Sequence, residues 1–515
     1  MLVIGCDVGG THTDAVLLEG RAFRGAAKVA TTDEVTSGIL AALRELVAST
    51  RLRPDLVTAV MVGTTHFTNA VVQRQGLAPV ACVRMGAPGT NAIPPLTDWP
   101  PDLASVVGAQ HAIVHGGYEF DGREHSPVDP AELRSLAADL KRAGVRHVAV
   151  VAVFAPLRSD CEDAAAAVLR EELPDLSVTL SHDLGQLGLL ERENAAVLNS
   201  ALRPLAERTI GAMRAALAAL GVRAPLYLTQ NDGTLMSAAY AERFPVLTFA
   251  SGPANSMRGA AYLSGLRDAI VVDVGGTTSD FGALVGGFPR EAGIAVRIGG
   301  VRTNFRMPDL LSLGLGGGSL VTEAGRRVGP LSVGHRLVEE GLIFGGSTLT
   351  ASDVAVAVGR AAFGEPPRVS SLDPEVVAAG LATVDSMLAD ALDRLKLSPD
   401  PVPLVAVGGG SVLLPSVLPG VSEIVLPPQA DVANAIGAAI AQVSGEVEQV
   451  YSMQSQTRDD AIARTTHEAR RRAVAAGAAS DSLEVVDVQE IPLAYMQDGA
   501  TRVRVRVVGN LDVGS

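Results

Sequence analysis

Lysine is almost missing from this chain of 515 residues, which carries only Lys28, Lys141 and Lys396. None of the three stands in a glycine-rich motif, and no GxxxxGKS or GxxxxGKT occurs. A P-loop nucleotide site is therefore excluded, and a Schiff-base lysine is not expected. Cysteine is as scarce. Cys6, Cys82 and Cys161 lie far apart and form no Cys-x-x-Cys pair, so they cannot by themselves make a disulfide framework, a zinc knuckle or an iron–sulfur cradle. Aromatic residues amount to 3%, with Trp99 the single tryptophan. No uninterrupted apolar stretch reaches the roughly 18 residues of a membrane span. The first strand is expected from Leu2, which leaves no room for a signal peptide and sets a cytoplasmic expectation. Basic residues number 42 against 56 acidic ones, and the net charge of −14 argues against nucleic-acid and anionic-membrane partners.

What is present is small and apolar. The composition is 47% hydrophobic with 54 glycines, the mark of a compact α/β protein, and the length requires two or more domains. One stretch organises the rest: Asp7-Val8-Gly9-Gly10-Thr11-His12-Thr13-Asp14, with its echo Asp273-Val274-Gly275-Gly276-Thr277-Thr278-Ser279-Asp280. Each copy lies between two apolar runs, Leu2-Val3-Ile4 and Ala15 to Leu18 for the first, Ile270-Val271-Val272 and Phe281 to Val285 for the second. Each therefore reads as a hairpin with Gly-Gly at its tip. A repeat half a chain apart predicts two related lobes facing each other. Glycines let backbone N–H groups turn towards an anion, while Thr11, Thr13, Thr277 and Thr278 add hydroxyls. Asp7 and Asp273 put a carboxylate at each strand end, where magnesium binding is the natural use. A tight turn needs the same glycines. The same acids and hydroxyls in two copies point further, to a triphosphate and its metal gripped from both sides.

Other strand ends repeat the theme. The strand Val57 to Val62 runs into Gly63-Thr64-Thr65-His66, where Thr64 offers a hydroxyl and His66 is either a ligand contact or a capping residue. Residues 86 to 130, rich in Pro, Gly and Asp, read as an irregular insertion. The histidines His111, His115 and His125 within it would serve a metal only on a helix, and the surrounding sequence reads as strand and turn. From Leu189 a long helix is expected to cross between the lobes, with Glu191, Arg192, Glu193, Asn194 and Asn199 on a solvated face. The segment Ser251-Gly252-Pro253-Ala254-Asn255-Ser256 is a glycine turn opening a helix. Near the end, the strand Leu404 to Val407 leads into Gly408-Gly409-Gly410-Ser411, followed by a small-residue helix with Asn434 and Gly437. Together these would make a flat slot for an adenine ring. The predicted division is a lobe over 1–190, a second over 191–445, and a small appended α+β segment over 446–515.

With these elements in place, the chain resembles an ATPase of the actin, sugar-kinase and Hsp70 superfamily, a two-lobed α/β, ribonuclease H-like fold. More narrowly, it is similar to the hydantoinase/oxoprolinase family of the subunit-A type. The resemblance is carried by the two hairpins, Gly63 to Ala70, Ser181-His182-Asp183 with Glu191-Arg192, Ser251 to Ala254, Gly316 to Ser319 and Gly345 to Asp353. These recur in the family's order over residues 1 to 440. One departure is Val333 to Glu340, which stands where the family commonly has a Pro-Gly-Pro stretch. The resemblance implies ATP-dependent opening of a cyclic amide or imide, through phosphorylation of the amide oxygen. It implies that Gly9, Gly10, Thr11, Thr13, Thr64 and Gly275 to Thr278 hold phosphates, and that Asp7 and Asp273 handle magnesium. It also implies that Gly408 to Ser411 with Asn434 border the nucleoside. Asp7, Asp14, Asp273, Asp280 and His66 are the expected catalytic residues, with His12 and His182 further candidates for proton transfer. An oligomer and a separate B-type subunit are expected. A small-molecule kinase and a non-catalytic ATP-dependent partner protein are the competing readings.

Overall fold

The computed structural model describes residues 1–9, 12–30, 35–120, 122–185, 187–292, 296–304, 307–454, 456–493 and 500–512. Twelve strands come first in the chain: β1 (Leu2–Val8), β2 (His12–Glu19), β3 (Ala22–Ala30), β4 (Val57–Thr64), β5 (Val80–Ala87), β6 (Gly108–His115), β7 (His147–Ala152), β8 (Ser177–Leu180), β9 (Leu226–Thr229), β10 (Thr234–Ser237), β11 (Ala269–Val274) and β12 (Ser279–Val285). They supply three sheets. The first runs β10-β9-β4-β1-β2-β3, and beyond β10 it continues through Gln442–Ser452, Ala500–Gly509 and Glu484–Pro492 to nine strands. Its centre pairs β1 in parallel with β4 and β4 in parallel with β9. Such strands are covered on both faces, and the nearly unbroken apolar runs of β1 and β4 follow from that.

The second hairpin belongs to another sheet. There β11 pairs with β12 and, in parallel, with Val402–Val407, which pairs with Val421–Val425. The third sheet is all-parallel in the order β6-β5-β7-β8. The two repeated hairpins thus sit in two separate sheets; β9, β10 and the strands after residue 441 belong to the first of them, where the sequence predicts a second lobe from 191 and an appended segment from 446.

Two expectations change. Residues 86–130 contain a helix, Pro101–Val107, and the eight-residue β6, a full member of the third sheet. The prolines read as irregularity instead open the helix, with Pro101 in its first turn, where a missing N–H costs nothing. His111 and His115 lie on that strand, and among the described residues no cluster of metal-ligating side chains occurs.

The long helix Leu189–Ala219 carries the chain from β8 back to β9, and its polar face is not solvated. Arg192, Glu193, Asn194 and Asn199 are buried, while Glu191 pairs with Arg302. Glu193 takes both forks of the buried Arg84 guanidinium of β5 at 2.6 Å each, and Asn194 accepts from Trp99 Nε1 at 2.7 Å. Paired in this way, polar groups tie the third sheet to the core of the first, where an amphipathic pattern predicts water. Among the described residues no helix is long and apolar enough to cross a membrane.

Candidate functional site

Both hairpins close in the same way. The Gly9 N–H donates to the His12 carbonyl at 3.0 Å, and the Gly275 N–H donates to that of Thr278 at 2.8 Å. In register, Asp7 faces Asp14 and Asp273 faces Asp280. Directly opposed like charges repel, and these pairs are set in protein rather than in water. Burial, then the charges of Asp14 and Asp273, push Asp7 up to about 7, although the amides of Asn255 and Asn434 pull the other way. Asp273 is pushed up to about 6, mainly by burial, with the Ser256 hydroxyl opposing. Burial likewise raises Asp14, against the pull of Lys28, and raises Asp280, against that of Ser312. Asp7 and Asp273 feel the acids of the opposite hairpin, so the two tips converge.

One helix gathers them. Ser251–Ser264 packs between the sheets and presents two consecutive residues to the two hairpins. Asn255 Nδ2 reaches Asp7 Oδ1 at 3.5 Å and Thr229 Oγ1 at 3.0 Å, while the Ser256 hydroxyl donates to Asp273 Oδ2 at 2.5 Å. A second helix, Ala433–Ala439, brings Asn434 Nδ2 to Asp7 Oδ2 at 3.0 Å. The two helices cross at backbone contact. A Cβ on Gly259 would stand 1.9 Å from the Ala433 carbonyl oxygen, and one on Gly437 would stand 1.9 Å from that of Asn255. No other residue fits at either point. Asn255 Oδ1 is buried without a hydrogen-bond partner. An orphaned oxygen beside two acids is a place for water or a hard cation.

The surroundings of the tips differ. Lys28 of β3 lies 3.0 Å from Asp14 on the first hairpin. On the second, Gly317 and Gly318 donate to the carbonyls of Gly275 and Gly276 at 3.0 and 2.7 Å, which clasps the tip. Gly410 donates to the Val274 carbonyl at 2.7 Å, and a Cβ on Gly408 would stand 2.3 Å from Asp273 Oδ1. The Gly408–Ser411 strand end therefore touches the second hairpin through Gly408 and Gly410. Gly409 is left open, and Ser411 starts a short helical turn.

Other predicted residues fall as follows. Gly10 and Thr11 lie outside the described residues. Thr13 and Thr64 are fully buried, Thr277 is half-buried and Thr278 is exposed. His66 opens the helix His66–Gln73 beside the first tip, because the Thr65 hydroxyl donates to the Val8 carbonyl at 3.2 Å. Burial lowers the His66 pKa and keeps the ring neutral at pH 7. His182 belongs elsewhere, on a cavity that no described hairpin residue lines. Asn255, Ser256 and Lys28 were not singled out for a site by sequence. The available signals were an Asn-Ser pair followed by Gly259 inside a helix, and the register that sets Lys28 opposite Asp14.

Comparison with known proteins bears on the family and the fold. A model of the hydantoinase/oxoprolinase N-terminal region matches residues 3–173, and the hydantoinase/oxoprolinase model matches residues 192–365. The chain is 25% identical over 459 residues to the caprolactamase subunit alpha of Pseudomonas jessenii, covering 79% of this chain and 65% of that one. It is 27% identical over 390 residues to the acetophenone carboxylase gamma subunit of Aromatoleum aromaticum, covering 69% and 53% respectively. The chain thus spans between half and two thirds of the length of these relatives. Among solved structures, the ATP-dependent caprolactamase from Pseudomonas jessenii superposes with a TM-score of 0.79 at 18% identity, covering 99% of this chain and 88% of that one. A nucleotide-free acetone carboxylase superposes with a TM-score of 0.70 at 18% identity, with the same coverage. At that identity the likeness is one of fold.

Proposed function

The chain is a member of the hydantoinase/oxoprolinase family, and from that premise we propose that it uses ATP to open a cyclic amide or imide. A lactam carbonyl is a poor electrophile. Transfer of the γ-phosphoryl group to the amide oxygen forms a C–O–P link as the bond to the β-phosphate breaks; water then adds to that carbon, the ring C–N bond breaks and inorganic phosphate leaves. Such transfer depends on positioning and charge neutralisation more than on covalent help from the protein. The observation that carries the reading is the Asn255–Ser256 pair, which reaches Asp7 of one hairpin and Asp273 of the other from a single helix. Magnesium fits here, since Asp7, Asp273 and the unpartnered Asn255 Oδ1 are hard oxygen donors. When bound, it would neutralise phosphate charge. No three ligating side chains cluster among the described residues, so these groups would hold it largely through water. The phosphate-holding roles of Gly9, Gly10, Thr11 and Gly275 to Thr278 belong to the same reading, as does the nucleoside border at Gly408 to Ser411.

A second subunit of the B type is part of the proposal, supported by relatives that are an alpha and a gamma subunit. The test is phosphate release from Mg-ATP, with and without hydantoin, 5-oxoproline and ε-caprolactam, in parallel with Asp273→Ala. Release stimulated by a ring compound and lost in the variant is expected. A net phosphorylated product would favour a kinase. Tight nucleotide binding with slow, ring-independent turnover would favour a partner protein. The relation to a carboxylase gamma subunit supports a second reading, ATP-dependent carboxylation, and a ketone with bicarbonate in the same panel tests it.

A further inference from the structure

A cavity of about 900 Å³ lies apart from the described residues of the hairpin tips. Its position follows from topology. Residues just beyond the carboxyl ends of β7, β8 and β9 open onto it: Ala155, His182 and Asn231. Ser444 and Ala475 close the far side. Carboxyl ends of parallel strands are where α/β sheets take ligands, and here the first and third sheets turn theirs to one space. The cavity is not remote from the acids. Its β9 wall begins one residue beyond Thr229, whose hydroxyl takes the Asn255 amide that also reaches Asp7. Only β4 separates β9 from β1, which puts the two strands about 10 Å apart.

One polar group on this wall is built to face a ligand. Glu162, wholly buried, accepts from the Ala152 N–H at 2.7 Å, the Ser181 hydroxyl at 2.5 Å and the His182 N–H at 3.1 Å. Its remaining reach fixes His182 Nδ1 at 2.7 Å. Ser181 is held in turn by Arg192 Nε at 2.9 Å. A carboxylate only accepts, so Nδ1 carries the proton and Nε2 is left for the cavity. Nε2 stands 3.6 Å from Asp183 Oδ1, too far for a hydrogen bond.

The charges on the wall decide what fits. Its three arginines have partners: Arg506 in Asp232 and Glu291, Arg158 in Asp160, and Arg472 in Glu468 and the Glu446 carbonyl. Acids at Asp183, Glu446 and Glu448 also line it. An anion would meet carboxylates there and spent cations. A neutral ring with one polar edge would find both Leu184, Met236 and Leu247 and an imidazole nitrogen in the lining.

We propose that this cavity holds the cyclic amide, anchored by His182 Nε2, and that it selects neutral rings over rings bearing a carboxylate. The class of ligand rests on the ring-opening reading; the selectivity rests on the wall. The test is equilibrium binding of ε-caprolactam, hydantoin and 5-oxoproline to the full chain without nucleotide. A neutral ring is expected to bind at least tenfold more tightly than 5-oxoproline. His182→Gln and Ala475→Trp should each weaken the neutral ring at least tenfold with an unchanged circular dichroism spectrum; Ala475 is solvent-exposed, so its replacement leaves the core alone. The proposal is overturned if no ring binds, if 5-oxoproline binds as well as the neutral rings, or if neither variant weakens binding. A Mg-ATP titration of the same samples separates the two ideas. Nucleotide bound without any ring removes the cavity proposal alone, whereas a ring bound without nucleotide upholds the cavity and removes the ATP-dependent reading.

Discussion

The two hairpins share a sequence but not a setting. In the first, carboxylates meet nitrogen: Asn255 and Asn434 on Asp7, and Lys28 on Asp14. In the second they meet hydroxyls, Ser256 on Asp273 and Ser312 on Asp280, and a glycine loop clasps the tip. The motif fixes where the acids stand, and the neighbours fix how readily each ionises. Burial first, then acids of both hairpins, raise Asp7 and Asp273 alike, and Asp7 is the weaker acid, at about 7 against about 6 for Asp273. A repeat of sequence is thus no proof of a repeat of chemistry. The first tip keeps a cation in place, whereas the second is held rigid by backbone.

The largest break in this comparison is expected where the halves are joined. Gly437→Val puts a branched side chain into the Asn255 carbonyl, which a Cβ alone would already approach to 1.9 Å. Either the helices part or the backbone shifts, at a cost of about 3 kcal/mol or more. Urea unfolding should show that loss. Gly409→Ala, at a glycine with nothing within 4 Å of its Cβ, should show almost none.

This junction also marks the limit of what the sequence made legible. The hairpins could be read because each is local: an apolar run, two glycines, a second apolar run. Gly437 could be placed on a small-residue helix, but not on the Asn255 carbonyl, because that contact joins residues 182 positions apart. The same holds for strand 442–452, whose place beside β10, with 500–509 on its other edge, is settled by pairing across the fold. Helix Leu189–Ala219 misled for a related reason. Charged residues on a helix predict water unless a partner such as Arg84, 109 positions away, is known to be waiting. Asn434, read as a nucleoside border, has its amide on Asp7.

The difference between Asp7 and Asp273 can be sharpened by pH. An aspartate whose folded pKa lies above its unfolded value of about 3.8 loses stability as pH rises, because the unfolded chain gives up its proton first. For Asp7 that loss runs from about pH 4 to about pH 7, and for Asp273 it stops near pH 6. In metal-free buffer, Asp7→Asn should therefore gain stability over the wild type progressively across the wider window. Asp273→Asn should gain less and level off about one pH unit earlier. Midpoints of thermal unfolding from pH 4 to 8 would decide it, and coincident curves would remove the claimed difference between the hairpins.

The smallest effect concerns the outer acids. Lys28, more than a third exposed, is screened by solvent, so Lys28→Met should cost no more than about 1 kcal/mol at pH 8. The cost should shrink as pH falls, as Asp14, whose pKa burial already raises, takes up its proton and no longer needs the cation. It should also shrink in 1 M salt, which shortens the reach of exposed charges to about 3 Å. Ser312→Ala removes a hydroxyl from Asp280, a group that burial rather than charge dominates. Its cost, of the same order, should stay nearly constant with salt. A salt response at the first hairpin and none at the second would separate an ion pair from a hydrogen bond at equivalent positions of one motif; equal responses would mean that Lys28 adds nothing beyond its length.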